Sequence, residues 1–181
     1  LALAAGFSEA ISFGFIEARH AEPFLGGDAP VALANPLSEK FAVMRPSLVP
    51  GLVGAVSHNR RHGRRDIQLF EIGTRFSPRG ETRALALAWT GLATPEHWSD
   101  HRRDADFFDL KGVAEQLGAL FGVGLEAVAP DEGTVPAHVL VPGRSAAMRV
   151  GASLIGWLGQ LQPAIGDAHE VPTQEAVWVG E

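Results

Sequence analysis

Polar and apolar positions alternate through Glu9–Ile16 (EAISFGFI), where β-branched and aromatic residues dominate, and this period of two predicts a strand. A short helix is expected over Glu17–Phe24, ended by Gly26-Gly27, and a brief strand over Val31–Ala34 ahead of the turn pair Asn35-Pro36. From Ser47 the period changes. Leu48, Leu52, Val53 and Val56 recur at steps of three and four, which predicts a helix to about Arg61 with one buried stripe. Ser47 is its expected N-cap, Pro50 falls in its first turn and Gly63 suits the position just past its end. Strands follow over Asp66–Phe76 and Arg83–Leu92, the second apolar on both faces and so expected at the centre of a sheet. Phe107–Gly122 reads as a helix with Phe108, Val113, Leu117 and Leu120 on its apolar face. Arg144–Leu161 reads as a hairpin turning at Gly151-Ala152, followed by one or two helical turns over Pro163–His169 and a last strand over Glu175–Val179. Strands outnumber helices and are joined partly by hairpins. The expectation is an α+β fold on a largely antiparallel sheet, as one domain over residues 1–181.

Composition narrows the function classes. The 181 residues are 46% hydrophobic and 20% charged, the profile of a folded chain with its own core. Cysteine is absent, which removes thiolate catalysis, Fe–S clusters and cysteine zinc sites and fits a reducing compartment such as the cytoplasm. The longest nearly apolar stretch, Ala84–Ala93, is half of the roughly 20 residues a bilayer helix needs, so no membrane partner is expected. Leu1–Phe7 is apolar but lacks the basic start of a signal peptide, and a first residue other than Met reads as a piece of a longer protein.

A net charge of −6 argues against a surface that attracts nucleic acid as a whole, yet His58–Arg65 holds Arg60, Arg61, Arg64 and Arg65 with no acid among them. These four could meet RNA phosphates or an acidic partner, or could be a solvated helix end whose cations suit the dipole. His58 and His62 have the i, i+4 spacing of a zinc-binding pair, but Asn59 stands where such a helix needs Glu. Between Glu96 and Asp109, histidines and carboxylates crowd enough to hold a divalent ion or move protons, while Arg102 and Arg103 would neutralise them. No dinucleotide-binding GxGxxG, phosphate-binding loop or GxSxG occurs, and the lysines are Lys40 and Lys111 alone.

Four segments in order add a more specific reading. Asn35-Pro36-Leu37-Ser38 leads into Met44-Arg45-Pro46-Ser47-Leu48-Val49-Pro50-Gly51-Leu52. Leu69-Phe70-Glu71-Ile72-Gly73 follows, closing at Phe76, and then Asp106-Phe107-Phe108-Asp109-Leu110-Lys111-Gly112. Last come Pro142-Gly143-Arg144-Ser145-Ala146 and Ile155-Gly156-Trp157-Leu158-Gly159. With the opening Gly6-Phe7 and Glu9-Ala10-Ile11-Ser12-Phe13, the whole chain resembles the catalytic-like core module of bacterial phenylalanyl-tRNA synthetase beta subunits.

That resemblance implies a class II synthetase fold, an antiparallel sheet flanked by helices. It also implies that ATP and magnesium serve the alpha subunit, that the fragment itself holds no cofactor or metal, and that the module pairs with the alpha subunit in an (αβ)2 assembly which meets tRNA as a whole. The Arg and Glu with which a working module grips ATP after the strand Phe are matched here by Ser77 and Arg79, and no arginine follows Arg149, so independent aminoacylation is not expected. Val141 stands where the resemblance expects His. The signature residues, Glu71, Asp109 and Lys111 among them, are expected to be structural, with no catalytic residue. The helix from Ser47 to Arg61 and the adjoining sheet are expected to meet the alpha module.

Overall fold

The structure, a computed structural model, describes residues 1–94, 102–131, 133, 135–136, 138–171 and 175–181. Among the described residues nine strands form two sheets: β1 (Ser8–Glu9), β2 (Phe15–Ile16), β3 (Val43–Met44), β4 (Ile67–Ser77), β5 (Gly80–Thr90), β6 (Glu126–Val128), β7 (Leu140–Val150), β8 (Ser153–Leu161) and β9 (Val177–Gly180). The α-helices among the same residues are α1 (Ala18–Ala21), α2 (Val49–Arg61), α3 (Phe107–Leu120) and α4 (Pro163–Ala168). The main sheet runs β1-β4-β5-β9-β8-β7-β6, while β2 and β3 pair apart from it. Every pair in the main sheet is antiparallel except β1 with β4, so the α+β reading on a largely antiparallel sheet holds.

Side-chain alternation along the central strands builds a core on each face. Leu69, Ala86, Ala88 and Val179 face α2 and pack with Leu48, Leu52, Val53 and Val56. Phe70, Leu87, Trp89 and Trp178 face the other way and pack with Leu110 and Val113 of α3. β5 sits between β4 and β9, as its two apolar faces require. The hairpin turn of β7 and β8 falls at Gly151-Ala152, where Gly151 has φ +56°.

Four expectations are corrected. The strand over Glu9–Ile16 divides: Ser12 gives its N–H to the Glu71 carboxylate instead of a backbone carbonyl, so the ladder with β4 lapses and the chain pairs again only at β2. Val31–Ala34 reduces to one bridge, Ala32 with Val43. Helix α2 is capped by Leu48, one residue later than expected, although the Ser47 hydroxyl still accepts from Val49 N at 3.1 Å. On α3, Phe108 is 72% and Leu120 is 63% exposed, because the buried stripe runs through Leu110 and Val113 with Phe107 and Leu117 at its margins. The three-residue strand β6 carries too little pattern to be read from sequence.

Near the C-terminus of α4, His169 stacks on His20 of α1 at 4.0 Å between ring centres. Burial first, then the neighbouring His20 and Arg19, hold its pKa down at about 4 instead of the ordinary 6.5. The unfolded chain therefore takes up the proton below pH 6.5 while the folded chain does not. Stability linked to His169 is complete above that pH and is lost as pH falls toward 4. Thermal unfolding of the His169→Gln variant between pH 7 and 4.5 is expected to show a visibly flatter dependence than the parent. Equal slopes would contradict this.

Candidate functional site

Signature residues from separate segments meet at the N-terminal end of α2. Arg45 is 6% and Glu71 3% exposed, and their side chains pair at 2.6 Å. Arg45 also donates to Thr74 O and to the Ser12 hydroxyl, each at 2.9 Å, and Ser12 in turn donates to the second Glu71 oxygen at 2.7 Å. Two glycines make room for this network. A Cβ on Gly73 would lie 2.3 Å from an Arg45 guanidinium nitrogen, and one on Gly51 would lie 2.2 Å from Ser12 Oγ. Each charge is bonded and enclosed, so the pair ties three segments together.

Beside it, Glu181 accepts from Leu48 N at 2.8 Å, at the positive end of α2. Burial raises its pKa, with the Leu48 N–H and the Ser47 hydroxyl opposing. Arg75 stands 3.6 Å from the same carboxylate. Ser12, Gly51 and Glu181 were not singled out from sequence. Ser12 could have been, since it occupies an inward position of the Glu9–Ile16 alternation.

The β4–β5 turn borders a cleft of about 370 Å³ lined by Asp28, Pro46, Arg75, Phe76 and Arg79, among others. At the two positions where the resemblance expects a nucleotide-gripping pair, the Ser77 hydroxyl accepts from Arg79 N at 3.2 Å and Arg79 is ion-paired to Asp28 at 2.6 Å. Arg75 leans on Glu181, and Glu81 adds a further acid. The positive charge here is matched by carboxylates, which does not fit a triphosphate.

The other signature positions are dispersed. Asn35 and Pro36 lie exposed ahead of a 3₁₀ turn, Glu39–Phe41. Met44 is half-buried on β3, and Phe70 is buried under the α3 side of the sheet. On the first turns of α3, Asp106 caps the helix and Asp109 closes a capping box with it, while Arg103 grips Asp109 through two bonds of 2.7 Å. That bonding holds the Asp109 pKa below the usual carboxylate range. Lys111 pairs with Glu115 one turn on, and Gly112 lies half-buried on the same helix. Pro142 and the positive-φ Gly143 make the register shift on β7, and a Cβ on Gly156 would meet the Glu181 carbonyl at 2.5 Å.

The basic cluster is largely spent. Arg60 and Arg65 both pair with Glu175, Arg61 pairs with Glu170, and Arg64 makes no ion pair among the described residues. His58 and His62 stack on each other at the end of α2. Of the Glu96–Asp109 segment, residues 96–101 lie outside the described residues, and Asp106 and Asp109 serve the α3 cap. Among the described residues no three metal-ligating side chains gather.

Comparison with known proteins follows the same line. The family described as phenylalanyl tRNA synthetase beta chain CLM domain matches residues 1–181. The phenylalanine–tRNA ligase beta subunit of Pseudomonas putida is 38% identical over 172 residues, covering 93% of this chain and 21% of that protein. The Rhodospirillum rubrum beta subunit is 35% identical over 162 residues, 88% of this chain and 20% of the relative. The chain thus spans about a fifth of the length of these relatives. Two structures of pyrrolysyl-tRNA synthetase from Desulfitobacterium hafniense superpose over 99% of this chain, with TM-scores of 0.71 and 0.67. They cover 61% and 60% of those chains at 18% and 20% identity, which establishes a class II synthetase-like fold.

Proposed function

Since the chain belongs to the phenylalanyl-tRNA synthetase beta-chain CLM family, we propose that it serves the charging of tRNA with phenylalanine as a supporting module without catalysing it. In this reading residues 1–181 act as one domain of a longer beta subunit in the cytoplasm. The domain assembles with and stabilises an alpha subunit, as an (αβ)2 complex, and the alpha subunit handles ATP and magnesium. The tRNA is met by the whole complex. No helix among the described residues is long and apolar enough to cross a membrane.

The observation that carries this reading is the β4–β5 turn. An ATP-gripping turn presents a free arginine to phosphate, whereas here the arginine is tied to Asp28 and a serine stands in the other position. The RNA-binding alternative is weakened because three of its four arginines are held by Glu170 and Glu175, which leaves Arg64 to meet phosphate. In the complete ligase, the double variant Ser77→Ala, Arg79→Ala is expected to charge tRNA with kcat within about twofold of the parent, far from the ~100-fold loss expected for a group that stabilises transition-state charge. A loss of that larger size would place this turn in the chemistry and overturn the proposal.

A further inference from the structure

Where α1, α4 and the segment before β7 come together, the chain leaves a cleft of about 790 Å³, about twice the volume of the one beside the β4–β5 turn. Its floor is the rim of the core on the α2 side. Trp157 of β8 is 8% exposed there, and Phe24, Val135 and Ile165 lie half-buried against the same cluster. One wall is the 3₁₀ turn Glu22–Phe24, which Pro23 stiffens. The other holds Pro136, whose carbonyl accepts from Val139 N at 2.9 Å. Both walls are anchored to α4. His20, beside the first, stacks on His169, and Gln162 at the head of α4 donates its N–H to Val139 O at 2.8 Å and its side-chain amide to Leu140 O at 3.1 Å. The cleft is therefore shaped before anything enters it, and its size and mostly apolar floor are those of a small-molecule site.

Two polar side chains border this apolar space, Glu22 and His138, and neither makes a hydrogen bond or ion pair among the described residues. Charges nearby on the chain are taken: Arg19 pairs with Glu17 and Asp28 with Arg79, each at 2.6 Å. Glu22 thus leaves a negative charge at the rim with no cation to match it, and the rings of Phe24 and Trp157 add the negative faces of their π systems. Such a rim favours a cation over an anion, while the floor favours a flat apolar body. The imidazole of His138 can serve as donor or acceptor beside the cation.

We propose that this cleft binds a small primary amine carrying an aromatic ring, the ring lying on Phe24 and Trp157 and the ammonium group meeting the Glu22 carboxylate. The site stands apart from the Arg45–Glu71 network, and it does not depend on assembly with an alpha subunit.

The test uses the full-length beta chain, with 2-phenylethylamine titrated by calorimetry and folding followed by thermal unfolding. A Kd on the order of 1 mM or below is expected for a ligand of this size. Glu22→Gln removes the charge at an exposed position and is expected to raise Kd about fivefold, the upper range for an ion pair that faces solvent. Phe24→Ala removes a ring and is expected to raise it about tenfold, with Phe24→Leu as a milder companion should the first fold poorly. 2-Phenylethanol, which has the ring and no charge, should bind about fivefold more weakly than the amine. The control Glu126→Gln, on β6, should bind as the parent does. A folded parent that does not bind the amine would overturn the proposal. Binding that the folded Glu22 and Phe24 variants leave within about twofold of the parent would do so too, since the amine would then sit elsewhere on the chain. L-Phenylalanine binding more tightly than the amine would overturn the choice of ligand class, because its carboxylate would stand beside Glu22.

Discussion

Replacing Glu71 by Ala is expected to lower the unfolding free energy by about 3–5 kcal/mol, the cost of leaving one member of a buried ion pair uncompensated. Arg45 would keep Thr74 O and the Ser12 hydroxyl but lose the carboxylate it is paired with. At roughly 2–4 °C per kcal/mol for a domain of this size, the transition should fall by about 10 °C. The change also frees Ser12, whose N–H and hydroxyl both donate to Glu71, so the Ala10–Gly14 segment should exchange its amides faster. Replacing both charges, as Arg45→Met with Glu71→Leu, should recover most of the loss, because paired removal leaves no orphan. A Glu71→Ala loss below 1 kcal/mol, by urea unfolding, would mean that the network is a passive contact.

That pair also shows how far the sequence can be read. Arg45 and Glu71 were legible as members of two signature segments by resemblance, but nothing in spacing says that residues 26 apart will touch. The link runs through Gly73, whose missing side chain admits the guanidinium, and through Ser12 from a third segment. The long strands and α2 were legible because each carries a sustained period: β4 and β5 span 11 residues and α2 spans 13. The Glu9–Ile16 alternation reaches β1 and β2, but the two-residue bounds of β1, β2 and β3 are set by tertiary pairing, which leaves no mark along the sequence.

On α3 the reading placed Val113 and Leu117 on the packed side, as they are, but missed at Phe108 and Leu120. Phe107 and Phe108 are adjacent, and either could start the stripe. The Asp106 cap fixes the first turn so that Phe107 packs inward and Phe108 points to solvent. In the basic cluster, acids more than 100 residues away in sequence, Glu170 and Glu175, pair with Arg60, Arg61 and Arg65 across the fold. Charge read along a chain misses charge returned from elsewhere.

The second large effect belongs to α2. Leu52 is fully buried and lies in the cluster with Ile67, Ala86, Ala88 and Val179, so Leu52→Ala removes a core side chain at a cost of about 2–5 kcal/mol, the spread depending on how far the site collapses. Because every atom it loses belongs to its own chain's core, the loss should be the same for the free beta chain and for the assembled complex. Comparing the unfolding of each, parent against variant, measures this directly. If Leu52→Ala instead destabilised the complex by more than the free chain, α2 would share its apolar face with the partner. The burial of Val49, Leu52, Val53 and Val56 at 0% exposure within the single chain leaves no side-chain surface on that stripe for a second protein to cover.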